Sequence, residues 1–277
     1  MRIDAHQHFW IYRKEEYPWI SLGMKGLQQD FLPPHLLPLL QQNGFDGSVA
    51  VQARQSETET HWLLNLATQF SFIKGVVGWT DLCAPDAKLR INSLAANPKL
   101  TGLRHVLHDE ADPAYMLRTD FMNGLACLEE TGLAFDLLIF PEHLPNTLKL
   151  VKQFPKQNFI LDHLGKPEIR AGKISPWKEQ ILELATFPNV SCKLSGIVTE
   201  ADIAHWTPDD FTRYLDVVTA CFGASRLMIG SDWPVCTLGG SYSRIIQIVK
   251  EYIGRFPMQQ QEQVMGGNAV RIYRLLE

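Results

Sequence analysis

Short runs of β-branched and apolar residues alternate along the chain with longer stretches in which apolar residues return every three or four positions. The first pattern predicts strands and the second predicts helices with one apolar face. Eight runs read as strands: Ile3–His8, Gly47–Ala53, Ile73–Trp79, Leu100–Val106, Ala134–Phe140, Asn158–His163, Val190–Leu194 and Leu227–Ser231. Helices are predicted near 34–43, 57–70, 85–97, 120–131, 142–153, 176–187, 208–223 and 241–255, with one more over 259–276. Pro33-Pro34, Pro141 and Pro208-Asp209-Asp210 supply helix starts, and Asp120 is placed to cap another. Gly44, Gly132, Gly223 and Gly254 stand where helices should end. Strands alternating with crossover helices imply a parallel sheet. Eight βα units in about 250 residues fit a closed (β/α)8 TIM barrel followed by a C-terminal helix. An open doubly wound sheet is the alternative, but no GxGxxG turn follows the first strand. A single domain over residues 1–277 is therefore expected.

Composition narrows the partners. A net charge of −4 gives no reason to expect nucleic acid or a membrane surface. No basic stretch leads into an apolar one at the start, and no apolar run approaches the roughly 18 residues of a bilayer span. The five cysteines, Cys83, Cys127, Cys192, Cys221 and Cys236, are odd in number and form no CxxC pair. Reduced thiols in a cytoplasmic protein are expected, with Cys192 a core thiol. The helix surfaces show no decisive apolar stripe, so a homo-oligomer stays open.

In a barrel, active sites gather at the C-terminal ends of the strands. Here those ends carry His6 and His8, Gln52 and Arg54, Trp79, Arg104 and His105, Asp162-His163, Lys193-Leu194-Ser195, and Ser231-Asp232-Trp233. A purely structural barrel does not need polar residues at nearly every strand end, because buried charge is costly unless paired. Strand alternation places Asp4, His6 and His8 on one face, with i and i+2 roughly 6.6 Å apart. Two imidazoles there suit a metal or proton-transfer site.

The pieces Ile3-Asp4-Ala5-His6-Gln7-His8-Phe9-Trp10, Asp162-His163-Leu164-Gly165-Lys166-Pro167, Lys193-Leu194-Ser195-Gly196, Gly230-Ser231-Asp232-Trp233-Pro234 and Gly267-Asn268-Ala269-Val270-Arg271-Ile272-Tyr273 resemble the amidohydrolase superfamily. The resemblance runs over the whole chain and is strongest to the "amidohydrolase 2" branch, in its sugar-acid lactonases (the fuconolactonase and rhamnonolactonase group). It implies a hydrolase that opens a small lactone ring, most simply an aldonolactone. It also implies His6, His8, His163 and Asp232 as ligands for one divalent metal such as Zn2+. One departure matters: strand 5, Ala134-Phe135-Asp136-Leu137-Leu138-Ile139-Phe140, has no histidine, and strand 4 offers Arg104 where two-metal members use Lys or Glu. A two-metal site is not expected. One Zn2+ and metal-independent catalysis both stay open.

Within that frame Asp232 is the candidate general base, ionised at neutral pH and able to take a proton from water. His163 would polarise the lactone carbonyl. Arg104 and Lys193 would steady the oxyanion and the substrate. Gln52, Arg54, Trp79, His105 and Trp233 would line the pocket, and His108 stands close by. The long loop carrying Trp10, Tyr12, Tyr17 and Trp19 is a candidate lid. Two other readings are weighed: a mononuclear metal hydrolase or decarboxylase acting on a small carboxylated substrate, and a non-catalytic sugar-binding barrel.

Overall fold

The computed structural model describes residues 1–276. Eight strands form one parallel sheet in chain order: β1 (Ile3–Gln7), β2 (Gly47–Val51), β3 (Ile73–Gly78), β4 (Leu100–His105), β5 (Ala134–Leu137), β6 (Phe159–Leu161), β7 (Val190–Leu194) and β8 (Leu227–Ile229). The main helices are α1 (Pro33–Gln42), α2 (Glu57–Gln69), α3 (Ala87–Ala95), α4 (Thr119–Glu129), α5 (Leu144–Gln153), α6 (Trp177–Leu184), α7 (Asp209–Phe222) and α8 (Tyr242–Ile253). The ring closes where β1 meets the chain just beyond β8. Asp232 N–H donates to the His6 carbonyl at 2.8 Å, and His8 N–H donates to the Trp233 carbonyl at 2.6 Å. This is a (β/α)8 TIM barrel. No helix among the described residues is long and apolar enough to cross a membrane.

Local chemistry sets the boundaries. Ser56 and Ser241 cap α2 and α8, their hydroxyls accepting from Glu59 N and Arg244 N. On α7 the buried set Phe211, Tyr214, Leu215, Val218 and Phe222 follows helical spacing and packs against the sheet. Several strands end sooner than the apolar runs suggest, β6 at Leu161 and β8 at Ile229, because the chain turns there to present polar groups. The single helix anticipated over 259–276 is broken into α9 (Met258–Glu262), a wide turn over Gln263–Gly267 and α10 (Asn268–Ile272). Gly266 explains the break: it lies against the start of β1, where a Cβ would stand 2.3 Å from the Met1 carbonyl oxygen.

One expectation about β1 fails for a clear reason. Its register against β2 advances three residues (Asp4 to Gln7) while β2 advances two (Ser48 to Ala50). The extra residue is a bulge, and a bulge resets which side chains face inward. Asp4 therefore points outward to Tyr242 of α8, while His6 turns into the barrel toward Lys193 and Arg104.

The barrel interior has two layers. The lower one is apolar: Ile3, Ala5, Val49, Val51, Val77, Ala134, Ile160 and Met228 pack with Ile272, Tyr273 and Leu275 of the C-terminal segment. The upper one is charged. Lys193 Nζ lies 2.5 Å from Asp136 and 3.0 Å from Asp162, and Arg104 pairs with Asp162 at 3.0 Å. Tyr273 donates its hydroxyl to Asp136 at 2.7 Å from below. Two cations thus face two carboxylates with almost no water access, Lys193 and both aspartates being 0% exposed. Burial pushes Asp136 up to about 6 against the pull of Lys193. Burial also acts to raise Asp162, but Lys193, His6 and Arg104 outweigh it and hold that carboxyl well below the usual range.

Removing one partner from such a set leaves uncompensated buried charge. Lys193→Met is expected to destabilise the fold by about 3–5 kcal/mol. For a chain of this size that lowers Tm by on the order of 10 °C in a thermal melt. An unchanged Tm would show that the ammonium is not needed to balance the two aspartates.

Candidate active site

Above the charged layer, at the C-terminal ends of the strands, opens a cavity of about 900 Å3. A hollow of similar size, about 910 Å3, lies on the barrel flank between α2 and α3, walled by residues such as Leu64, Ala67 and Leu94 and by the chain that leads into β3 and β4, away from the C-terminal strand ends. Only the first gathers the polar residues singled out above. Its floor holds His8, Arg104, His163 and Asp232, and its rim holds Arg54, Lys166 and Glu200.

Asp232 is the centre of the floor. One of its carboxylate oxygens lies 3.3 Å from His8 Nε2, 3.7 Å from His6 Nε2 and 3.9 Å from His163 Nε2. Burial acts to raise this carboxyl, but His163 first, then His8 and His6, outweigh it and hold it well below the usual carboxylate range. Burial pushes His163 down to about 4 and His6 well below its ordinary value, with Lys193 adding to the latter. At neutral pH an ionised carboxylate therefore sits beside neutral His6 and His163 imidazoles.

His163 and Asp232 share an unusual backbone. Their φ angles are 53° and 59°, in the left-handed region that non-glycine residues rarely adopt. Strain of this kind persists only where neighbours over-determine it, and it collects at functional sites. Gly196 is part of that surround: a Cβ there would stand 2.4 Å from His163 Nδ1, so only glycine leaves room for the ring. Ser195 Oγ, one residue before it, lies 2.8 Å from His163 Nδ1 and fixes the ring's rotation.

The four ligands anticipated for a metal do not form one cluster. His6, His8 and Asp232 bring donor atoms within 4.8 Å of one another, and His163 falls instead with His6 and Asp162. His8 Nδ1 lies 2.8 Å from the Val51 carbonyl. That contact places a proton on Nδ1 and turns Nε2 toward Asp232, the orientation in which Nε2 can serve as a metal ligand. The set His6, His8 and Asp232 thus fits one divalent ion of the Zn2+ type. Asp136 of β5, bound to Lys193 and Tyr273, offers nothing to a second.

Several residues assigned to the pocket lie elsewhere. Lys193 is sealed beneath the floor, so it touches His6 at 3.1 Å and not the cavity. Gln52 is also buried. Its carbonyl accepts from Arg104 Nη2 at 2.5 Å and its side-chain amide donates to the Arg104 carbonyl at 3.3 Å, so it holds the guanidinium in place. His105 follows inward-facing Arg104 and therefore points out of the barrel. There it receives the Trp79 indole N–H at 3.3 Å and pairs with Glu110 at 2.7 Å. Trp233 packs edge-on against Phe9 and Phe31. Arg54 does line the cavity, paired with Glu16 at 3.0 Å.

The sequence reading gave no role to Lys166, Glu200 or Thr199, and none to Ser195 beyond its place at a strand end. The first three sit on loops, where no period says which way a side chain faces. The long β1–α1 loop forms one wall through Glu15, Glu16, Pro18, Trp19 and Met24. It is tied down by the Trp10 indole on the Gln29 carbonyl at 2.9 Å and the Trp19 indole on the Ala53 carbonyl at 2.9 Å.

Comparison with known proteins places this geometry. The chain is 40% identical over 288 residues to an L-fucono-1,5-lactonase of Burkholderia multivorans (strain ATCC 17616 / 249), covering 100% of this chain and 97% of that protein. It is 38% identical over 282 residues to an L-fucono-1,5-lactonase of Burkholderia ambifaria, covering 99% and 96%. A crystal structure of an amidohydrolase from Burkholderia multivorans with bound zinc superposes with a TM-score of 0.96 at 40% identity, covering 100% of both chains. With residues 3–275 also matching the family described as Amidohydrolase, the chain belongs to the amidohydrolase family of enzymes.

Proposed function

We propose that this enzyme hydrolyses a small, uncharged sugar-acid lactone by direct attack of water, with Asp232 as general base. The observation that carries the reading is the ionised Asp232 carboxylate on the cavity floor, ringed by the Nε2 atoms of His6, His8 and His163 at 3.3 to 3.9 Å. The charges that depress its basicity belong to imidazoles, and that of His163 is gone above about pH 4. At working pH the carboxylate is free to accept a proton from a water held against it.

The remaining roles follow from position. With the Ser195 hydroxyl donating across its 2.8 Å contact to His163 Nδ1, the neutral ring carries its proton on Nε2, and we assign it to offer that proton to the lactone carbonyl oxygen as negative charge develops. Arg104, fixed by Asp162 and Gln52, adds positive charge from the floor. Once the tetrahedral carbon has formed, Asp232 returns its proton to the departing ring oxygen. Lys193 acts from below by balancing Asp136 and Asp162 and by fixing His6. Where a divalent ion is bound by His6, His8 and Asp232, it supplies Lewis acidity at the same spot.

Charge on the wall favours a neutral substrate over a carboxylated one. Each cation that reaches the cavity is already matched: Arg54 with Glu16 at 3.0 Å, Arg104 with Asp162 at 3.0 Å and Lys166 with Glu200 at 2.7 Å. Glu15, Asp109 and Asp232 add further negative charge. A carboxylated substrate would meet no unmatched cation here and would have to enter against that field. The two curated relatives named above, both L-fucono-1,5-lactonases, support the same substrate class.

Three measurements check this reading. Asp232→Asn is expected to lower kcat for aldonolactone opening by about 10²–10⁴-fold, the usual loss of a general base; near wild-type turnover would remove Asp232 from that role. In a pH-indicator assay, an aldonolactone should exceed a similar lactone bearing a carboxylate by on the order of 100-fold in kcat/KM, the size of a charge mismatch worth about 3 kcal/mol; equal efficiencies would mean that wall charge does not select. Metal-stripped protein titrated with Zn2+ by calorimetry is expected to take up one ion, with His8→Ala weakening the uptake at least about tenfold; unaltered uptake would place the ion elsewhere.

A further inference from the structure

The Asp232 side chain leaves the backbone at φ 59°, so something must hold the peptide in that conformation. Three successive N–H groups are pinned. Ser231 N donates to Asp4 Oδ1 at 2.8 Å, Asp232 N donates to the His6 carbonyl at 2.8 Å, and Trp233 N donates to Ser231 Oγ at 3.0 Å. The Ser231 hydroxyl passes its own proton on to Asp4 Oδ2 at 2.6 Å, where the Tyr242 hydroxyl also donates at 3.0 Å. His6 N completes the set with a 3.3 Å contact to Asp4 Oδ1. One carboxylate thus gathers donors from the peptide that carries Asp232, from the strand that carries His6, and from α8.

Asp4 itself is 0% exposed and lies behind the strand ends, out of reach of any substrate. The seam between β1 and β8 is already made by backbone bonds at Asp232 N and His8 N. A buried carboxylate is a costly way to strengthen a seam that apolar packing could close. Its geometry suits a different role. It holds Ser231 directly and Trp233 through the Ser231 hydroxyl, one on each side of Asp232, and a reacting carboxylate misplaced by about 1 Å costs on the order of 100-fold in rate.

We propose that Asp4, acting through Ser231 and Tyr242, is a positioning residue that fixes the left-handed peptide at Asp232 and so aims its carboxylate at the attacking water. The proposal rests on Asp232 being the general base. Ser231→Ala removes the acceptor for Trp233 N and one donor to Asp4 while barely changing volume. It is expected to lower kcat at least about tenfold with KM within about twofold, the loss expected of a misaimed base. A double-mutant cycle separates aim from simple damage: in an Asp232→Asn background the same change should alter the residual rate by less than about twofold. Tyr242→Phe, which deletes a single donor, should give a smaller fall with the same dependence on Asp232. A crystal structure of Ser231→Ala should show the Asp232 carboxylate displaced.

Equal losses in both backgrounds, or unchanged kcat with the carboxylate in place, would overturn the clamp. Failure of the general-base reading shows separately, as full activity of Asp232→Asn alone.

Discussion

The buried contact of Lys193 with Asp136 and Asp162 is the constraint on which the rest depends. It puts an ammonium and two carboxylates inside a parallel barrel whose lower layer is mostly apolar. Such a set is tolerable only if its charges cancel and its hydrogen bonds are met. Arg104 supplies the second cation, and Tyr273 from the C-terminal segment supplies a hydrogen bond. The consequence appears one layer higher. His6 is buried against Lys193, and burial together with that ammonium outweighs the pull of Asp162 and opposes protonation of the ring. Burial lowers His163 as well, so neutral His163 on the cavity floor and neutral His6 just beneath it stand beside an ionised Asp232.

Two local departures from regular structure convert this layer into a site. The bulge in β1 separates Asp4 from His6, sending one outward to brace the Asp232 peptide and the other inward to the network. The left-handed backbone at His163 and Asp232 then lifts both side chains into the cavity from strands that have already ended. Neither departure lowers energy locally. Each is held by neighbours: Gly196 yields space for His163, and Ser231 ties Asp232 back to Asp4.

Much of the fold was legible because periodicity reports burial directly. All eight strands and the eight barrel helices lie where apolar spacing put them, and the ends at Gly44, Gly132 and Gly223 take the left-handed φ expected of helix stops. Gly254 does not, since α8 ends in a right-handed turn there. What periodicity could not carry was facing. Alternation assigned Asp4 to the face of His6, and a one-residue bulge is invisible in a sequence. His105 and Trp233 stand beside Arg104 and Asp232 in the chain but turn away from the cavity, so nearness to a strand end was too coarse a guide. Lys193 was recognised as a strand-end cation, yet only depth distinguishes a floor residue from one sealed beneath the floor.

The central claim is a protonation state: an ionised Asp232 next to a neutral His163 whose proton lies on Nε2. It is tested most directly by 15N NMR of histidine-labelled, metal-free protein at pH 7. The expected result is a His163 signal pair typical of a neutral imidazole protonated at Nε2. A doubly protonated His163, or a neutral ring with its proton on Nδ1, would contradict it.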